Sequence, residues 1–276
     1  MAASLSQPVA QVSQPDENTL SPFFSQRAEL LQGNPAAAYP LSQQTHWSSA
    51  QSALSRLYDR LGGLFARLAD LTGVPLAAAL AVWFVESSGR ALETGHAIVR
   101  FEVHHFWSGW GYKNAAAFDA HFRFGGRGGV AGHPWEGHAY RAATQGEFAP
   151  VHIGQLSEYA ALQLARQFAG DEAAIRCISI GGCQLLGCDY DLLGYATARA
   201  MYDAFQASEN AHVLGFFDFC ARQPAPHIGG LLTYLRQQDF ASFAKFYNGG
   251  GDVAAYAARL KDAAEDAEVA LVGAKL

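Results

Sequence analysis

The chain has 276 residues, half of them apolar, with a formal net charge of −6 and a pI near 5.9. That length supports one large core or two small ones. The acidic balance, without a basic stripe, excludes nucleic acid as a main partner, since phosphate binding needs clustered Lys and Arg; no apolar run approaches the roughly 20 residues of a membrane span, so no membrane partner is expected.

Residues 1–50 are rich in Ser, Gln, Pro and Ala, and their few apolar residues have no sustained period. They are expected to form a flexible tail or a docking segment. The start, Met1 to Pro8, has neither a basic cluster nor a long apolar stretch, so it does not read as a secretory signal and synthesis in the cytoplasm is expected. Residues 51–73 differ in texture: Leu54, Leu57, Leu61, Leu64, Phe65, Leu68 and Leu71 recur at threes and fours up to Gly73, which predicts an amphipathic helix leading in. Pro75 suits the first turn of the next helix. That helix is apolar nearly all round through Trp83, Phe84 and Val85, so it should be the buried centre of the domain. It delivers one carboxylate, Glu86, just before Ser87-Ser88-Gly89. Poor access to water raises a glutamic acid pKa, which is how a general acid is made; the plainer alternative is a surface Glu in a last turn before a glycine.

From Gly95 to about His138, Gly, His and aromatic residues dominate. Ile98 to His104 alternates like a strand, with Val99, Phe101 and Val103 on one face and Arg100, Glu102 and His104 on the other. Glu102 can serve as a second acid or as a structural partner of Arg100. Phe106, Trp107, Trp110 and Tyr112 suit either sugar stacking or packing of a small insert. The histidines lack the short fixed spacing of a zinc motif, and neighbours on a strand such as His104 and His105 face opposite ways, so no metal and no cofactor are predicted. Helices are predicted near Leu156–Phe168, Asp171–Cys177, Tyr195–Gln206, Ser208–Ala221, Ile228–Arg236, Phe240–Tyr247 and Val253–Ala267, with Asp171 and Ser208 as N-caps. Cys177, Cys183, Cys188 and Cys220 match no metal or redox spacing and read as free thiols, mostly in the core. The fold class is therefore mainly α, with a small β or loop-rich insert.

Three separated stretches carry the chemistry: Glu86-Ser87, Ser179-Ile180-Gly181-Gly182-Cys183-Gln184, and Phe246-Tyr247-Asn248-Gly249-Gly250. In this order on a helical chain they resemble the lysozyme-like superfamily. Gly95 to Phe106 and Phe240 to Gly249 bring the likeness closer, to the phage-type N-acetylmuramidase family of endolysin catalytic domains, in which Val-Glu-Ser-x-Gly, Phe-Glu-x-His-x-Phe, Ser-x-Gly-x-x-Gln and Tyr-Asn-Gly occur in sequence. The resemblance spans roughly residues 70–268. It implies an α+β lysozyme-like domain over 74–268 with a short tail at 269–276. The family's Gly-Leu-Phe-Gln reads Gly181-Gly182-Cys183-Gln184 here, Ala97 replaces its usual proline, and residues 1–50 hold no counterpart of its wall-binding module.

What the resemblance implies is a muramidase that hydrolyses the β-1,4 bond between N-acetylmuramic acid and N-acetylglucosamine in peptidoglycan glycan strands. Glu86 is the expected proton donor and Glu102 the first candidate for a second acid, because a glycosidase needs a protonated carboxyl beside the leaving oxygen and usually a partner carboxylate. Ser179, Gln184, Tyr247, Asn248 and His104 are the candidate sugar contacts; Ser87 is expected to brace the turn beside Glu86. Two other readings stay open: a lytic transglycosylase giving 1,6-anhydro products, and a catalytically silent wall-binding protein that keeps the shell. Action on the wall is expected after release by phage holins or after injection as an antibacterial effector, the second route implying an immunity protein or an injection-machine component as partner.

Overall fold

The computed structural model describes residues 23–41, 47–223, 229–248 and 252–273. Helix α1 (Ala28–Leu31) follows a single 3-10 turn at Phe24–Gln26. Helix α2 (Ser49–Thr72) begins at a capping box in which the Ser48 side chain accepts from the Gln51 N–H, and it ends at Gly73 in the left-handed conformation. These caps satisfy backbone groups that a helix leaves open at its ends. The chain then bends by 120° into α3 (Leu76–Ser87), capped by Pro75. Among the described residues no single helix is long and apolar enough to cross a membrane.

Helix α3 is the buried centre that its all-round apolar sequence requires: Ala78 to Trp83 are at most 1% exposed. Trp83 packs against Phe65 of α2 and against Phe216, which lies on α9 (Glu209–Arg222). Burying each such side chain contributes roughly 1.5–3 kcal/mol. Helix α12 (Val253–Gly273) lies along α3 and α2 and also meets α11 (Phe240–Asn248), while α10 (Leu232–Arg236) touches α3 and α9. This helical shell encloses the end of α3 that carries Glu86.

The insert between α3 and α6 (Gln155–Ala169) is built from short pieces. Strands β1 (Leu92–Glu93) and β2 (His96–Ala97) form a hairpin. Strand β3 (Val99–Phe101) precedes α4 (Val103–Gly109) and α5 (Ala115–His121), and then β4 (Phe122–Arg123), β5 (Ala139–Tyr140) and β6 (Ala149–Pro150) form a second small sheet. A third sheet joins segments distant in sequence. Strand β3 pairs antiparallel with β7 (Ile178–Ile180), Val99 opposite Ile180 and Phe101 opposite Ile178, and β7 pairs with β8 (Leu185–Leu186). Helix α7 (Asp171–Ile175) precedes β7, and α8 (Ala198–Ala207) precedes α9; α9 is capped by the Ser208 side chain as its sequence predicts. Gly170 takes the N-cap predicted for Asp171, which becomes the first helical residue instead.

Two further expectations fail. Residues 23–41 are not a loose tail: Phe24, Leu30 and Leu41 are at most 2% exposed, and the Asp218 carboxylate on α9 accepts from the N–H groups of Phe24 at 2.8 Å and Ser25 at 2.9 Å. Only residues 1–22 and 42–46 of the expected tail lie outside the described residues. The strand predicted over 98–104 ends at Phe101. Glu102 takes the N-cap position of α4, so His104 and His105 stand on a helix, with ring centroids 4.2 Å apart.

Candidate active site

Glu86 occupies the last full turn of α3. The helix is stopped by Ser88 at φ 50° and Gly89 at φ 73°. Ser87, buried, donates from its hydroxyl to the Trp83 carbonyl at 2.6 Å and accepts from the Gly89 N–H at 3.0 Å. It braces the turn in the way its position predicts.

Three other parts of the chain close around the Glu86 carboxyl. From α12, the Tyr256 hydroxyl donates to Glu86 Oε1. From α11, Tyr247 hydrogen-bonds the same carboxyl, with its hydroxyl 3.5 Å from the Cys183 carbonyl oxygen. The buried thiols of Cys183 and Cys220 complete the surroundings, both kept neutral because burial pushes their pKa values up. Burial likewise raises the Glu86 pKa above its ordinary value, opposed by the Tyr256 and Tyr247 hydrogen bonds and by the positive charge of Arg259. Desolvation wins because its opponents are mainly neutral donors and one exposed guanidinium. The result is a carboxyl held by phenols in a mostly apolar chamber.

The turn between β7 and β8 faces this carboxyl, and its glycines explain how close it comes. A Cβ on Gly182 would lie 2.5 Å from Ser87 Cβ and 2.9 Å from the Arg90 carbonyl oxygen, and one on Gly181, at φ 81°, would lie 2.0 Å from His212 Nδ1. Any larger residue would push the turn off the end of α3. Gln184, itself at φ 48°, donates from Nε2 to the Gly181 carbonyl at 2.7 Å, so it closes its own turn. Ser179 is buried in β7, opposite Arg100 and Leu186. The side chain of Asn248, with Gly249 and Gly250, lies outside the described residues.

Glu102 and His104 are not brought to Glu86. The Glu102 N–H donates to the Cys177 carbonyl at 2.9 Å, at the end of β7 remote from the Gly181 turn; four residues of strand at about 3.3 Å each put that turn on the order of 10 Å away. Arg100 Nε donates to Glu102 Oε1 at 2.8 Å, which is the structural pairing that the strand alternation allows. His104 Nδ1 and His138 Nδ1 each lie 3.7 Å from Glu102 Oε2. Burial, with neighbouring positive groups, lowers the pKa values of His104 and His138 to about 4. The aromatic candidates mostly pack: Phe106 is buried and stacks on Trp110 at 5.0 Å, Trp107 meets Phe118 edge-on, and only Tyr112 is widely exposed.

Sequence reasoning missed Tyr256, and the signal was present: it is an aromatic hydroxyl on the otherwise aliphatic stripe of Leu260, Ala263, Ala264 and Ala267. It also missed His152 and Glu158, which join the Glu102 cluster from beyond β6. A groove of about 1050 Å³ runs beside the β1–β2 hairpin, lined by Glu93, His96, Tyr140, Gln155 and Tyr159 among others, and does not include Glu86.

The N-acetylmuramidase family profile (Muramidase) matches residues 75–268. The crystal structure of a Burkholderia AP3 phage endolysin is similar, at 28% identity and a TM-score of 0.56, over 74% of this chain and 70% of that one. No curated protein matches the chain. With the profile running from the start of α3 through most of α12, and so across every element that meets Glu86, the chain belongs to the N-acetylmuramidase family of peptidoglycan-degrading enzymes.

Proposed function

We propose that this muramidase hydrolyses the β-1,4 bond between N-acetylmuramic acid and N-acetylglucosamine, with Glu86 as the general acid. The observation that carries this reading is the Glu86 chamber: a carboxyl with a raised pKa, oriented by Tyr256 and Tyr247 and faced by the Gly181–Gln184 turn. In that setting the protonated carboxyl gives its proton to the glycosidic oxygen as the bond breaks, and the phenols hold the carboxylate that results. Sugar contacts fall to the turn bearing Gln184 and to Tyr247, while Glu102 and His104 have another task.

A second reading has an observation in its favour. Among the described residues, the partners of Glu86 include no second carboxylate, which suits one-acid chemistry in which the muramic 6-hydroxyl attacks and a 1,6-anhydro end forms. Mass spectrometry of digested sacculi decides between them. New reducing ends support hydrolysis; dominance of anhydro-muropeptides overturns it in favour of transglycosylation. Glu86→Gln is the companion test: retained activity would remove Glu86 from the chemistry, whereas wild-type protein that binds sacculi without cleaving them would leave the catalytically silent shell as the better reading.

The likeness to an endolysin supports action on the wall after passage from the cytoplasm at lysis. Expression in a Gram-negative host with and without an added secretion leader checks this: lysis only with the leader is expected, and equal toxicity from both forms would count against a wall target.

A further inference from the structure

We propose that Glu102, His138 and His152 bind one divalent transition-metal cation, zinc being the best match to the donor set, at a site separate from the Glu86 chamber. Glu102 comes from the N-cap of α4, His138 from just before β5, and His152 from just after β6. One donor atom from each lies within 4.8 Å of the others. Two imidazoles and one carboxylate form a recognised zinc set.

The hydrogen bonds around the three side chains are what point to a cation. His152 Nδ1 lies 2.8 Å from Glu158 Oε1, and His138 Nε2 lies 2.9 Å from the Pro134 carbonyl. A carboxylate and a carbonyl only accept, so each of these ring nitrogens carries the proton. The opposite nitrogens, His138 Nδ1 and His152 Nε2, then present lone pairs to each other across 2.7 Å. Glu102 Oε2 approaches the same point at 3.7 Å from His138 Nδ1, while its other oxygen is held by Arg100 at 2.8 Å. Three electron-rich atoms thus converge, with no positive group between them among the described residues. Orientation of each ligand by a second group is the usual second shell of a metal-bound histidine or carboxylate. Glu158 is fixed in turn, because its Oε2 accepts from the Phe101 N–H at 2.7 Å.

His104 belongs to the wall rather than to the ligand set, since its Nδ1 meets the outer nitrogen of His138 at 3.2 Å. Two Zn–N bonds of about 2.0–2.1 Å at a tetrahedral angle span roughly 3.4 Å, so the two rings part by about 0.7 Å on loading. The His138 side chain is fully buried and that of His152 is 22% exposed, which gives entry from one side and a fourth position for water. The cation would fasten the strand pieces of the insert, which hold only two residues each, to the β3–α4 junction.

The test uses tag-free, full-length protein. Metal analysis is expected to find about one zinc per chain. Stripping with a chelator should lower the melting temperature by several degrees, restored by Zn²⁺ and not by Mg²⁺. Glu158→Gln should weaken zinc binding roughly 10–100-fold, and His152→Ala should reduce metal content to background. Should His152→Ala fail to fold, Co²⁺ added to stripped wild-type protein gives the answer through the visible bands of low-symmetry cobalt. Wild-type protein that carries no metal, shows no zinc-dependent melting shift and gives no cobalt bands overturns the site and leaves a shared proton between the two histidines.

Discussion

Glu86 and Glu102 are both carboxylates withdrawn from water, each at one end of a helix, yet their neighbours give them opposite tasks. Glu86 ends α3 among phenols, thiols and apolar side chains, with one guanidinium at a distance, and its pKa rises. Glu102 begins α4 against the Arg100 guanidinium and a set of imidazoles. The first environment makes the charged form costly and yields a proton donor; the second sets a guanidinium donor against one carboxylate oxygen and ties Glu102 into the insert. Burial alone therefore does not identify a catalytic acid; the charge of what surrounds it does.

The largest expected effect separates the two acids directly. Glu86→Gln should reduce glycan cleavage about 10²–10⁴-fold, the range for loss of a general acid. The folded-state pKa of Glu86 lies above its unfolded value, so the native protein binds more protons than the unfolded one between those two values, and stability falls as pH rises through that window. Above that window the ionised side chain is thus a net cost. Glu86→Gln removes it, and the melting temperature should hold or rise. Glu102→Gln should do the reverse, with activity of the folded protein kept within about tenfold and stability lowered by roughly 1–3 kcal/mol for a charge-assisted hydrogen bond lost in a partly buried pair. Turbidity assays beside melting curves at one pH check both. A Glu102→Gln variant that melts normally but has lost all activity would put Glu102 back into the chemistry.

These two acids also mark how far the sequence can be read. Helix α3 and its terminal Glu were legible because the signal is local: Pro75 in front, an unbroken apolar run, and Gly89 behind. Long amphipathic helices such as α2 were legible for the same reason. The strand expected over 98–104 ran too far because Val99, Phe101 and Val103 alternate, while Val103 and Phe106 carry a helical spacing that the alternation hides. Residues 23–41 were misread because their anchors are distant: Phe24 and Ser25 dock on Asp218, more than 190 residues away. The zinc-like cluster escaped for a related reason, its ligands being 36 and 14 residues apart and brought together only by tertiary folding.

An intermediate effect is expected at the turn that faces Glu86. A Gly182→Ala methyl would meet Ser87 Cβ and the Arg90 carbonyl, the latter a backbone atom that cannot rotate away. Overpacking of this kind costs roughly 1–3 kcal/mol. The turn should retreat from α3, so that activity falls together with the melting temperature. The same substitution at Gly95, where a Cβ would meet nothing within 4 Å, has only the cost of its positive φ and should leave activity near wild type. Equal losses at both positions would show that backbone strain, not the approach of the turn to Glu86, sets the effect.

The smallest change and the most specific is Tyr256→Phe. The Tyr256 hydroxyl donates to Glu86 and is the strongest of the influences that lower its pKa. Without it the ionised carboxylate loses a donor, while burial acts as before, so the Glu86 pKa should rise further. A general acid works while protonated, and the alkaline limb of the pH–activity profile reports its pKa. That limb should therefore lie above the ordinary glutamate range in the wild type and move to still higher pH in Tyr256→Phe, even if the maximum rate falls through looser positioning. Tyr247→Phe should move it in the same direction by less, because Tyr247 is the weaker of the two influences. Glu102→Gln should not move it, since that carboxylate sits at the far end of the strand pair. A shift of the limb to lower pH in Tyr256→Phe would mean that the phenol holds the protonated acid rather than the carboxylate, and would reverse the role assigned to the hydroxyl.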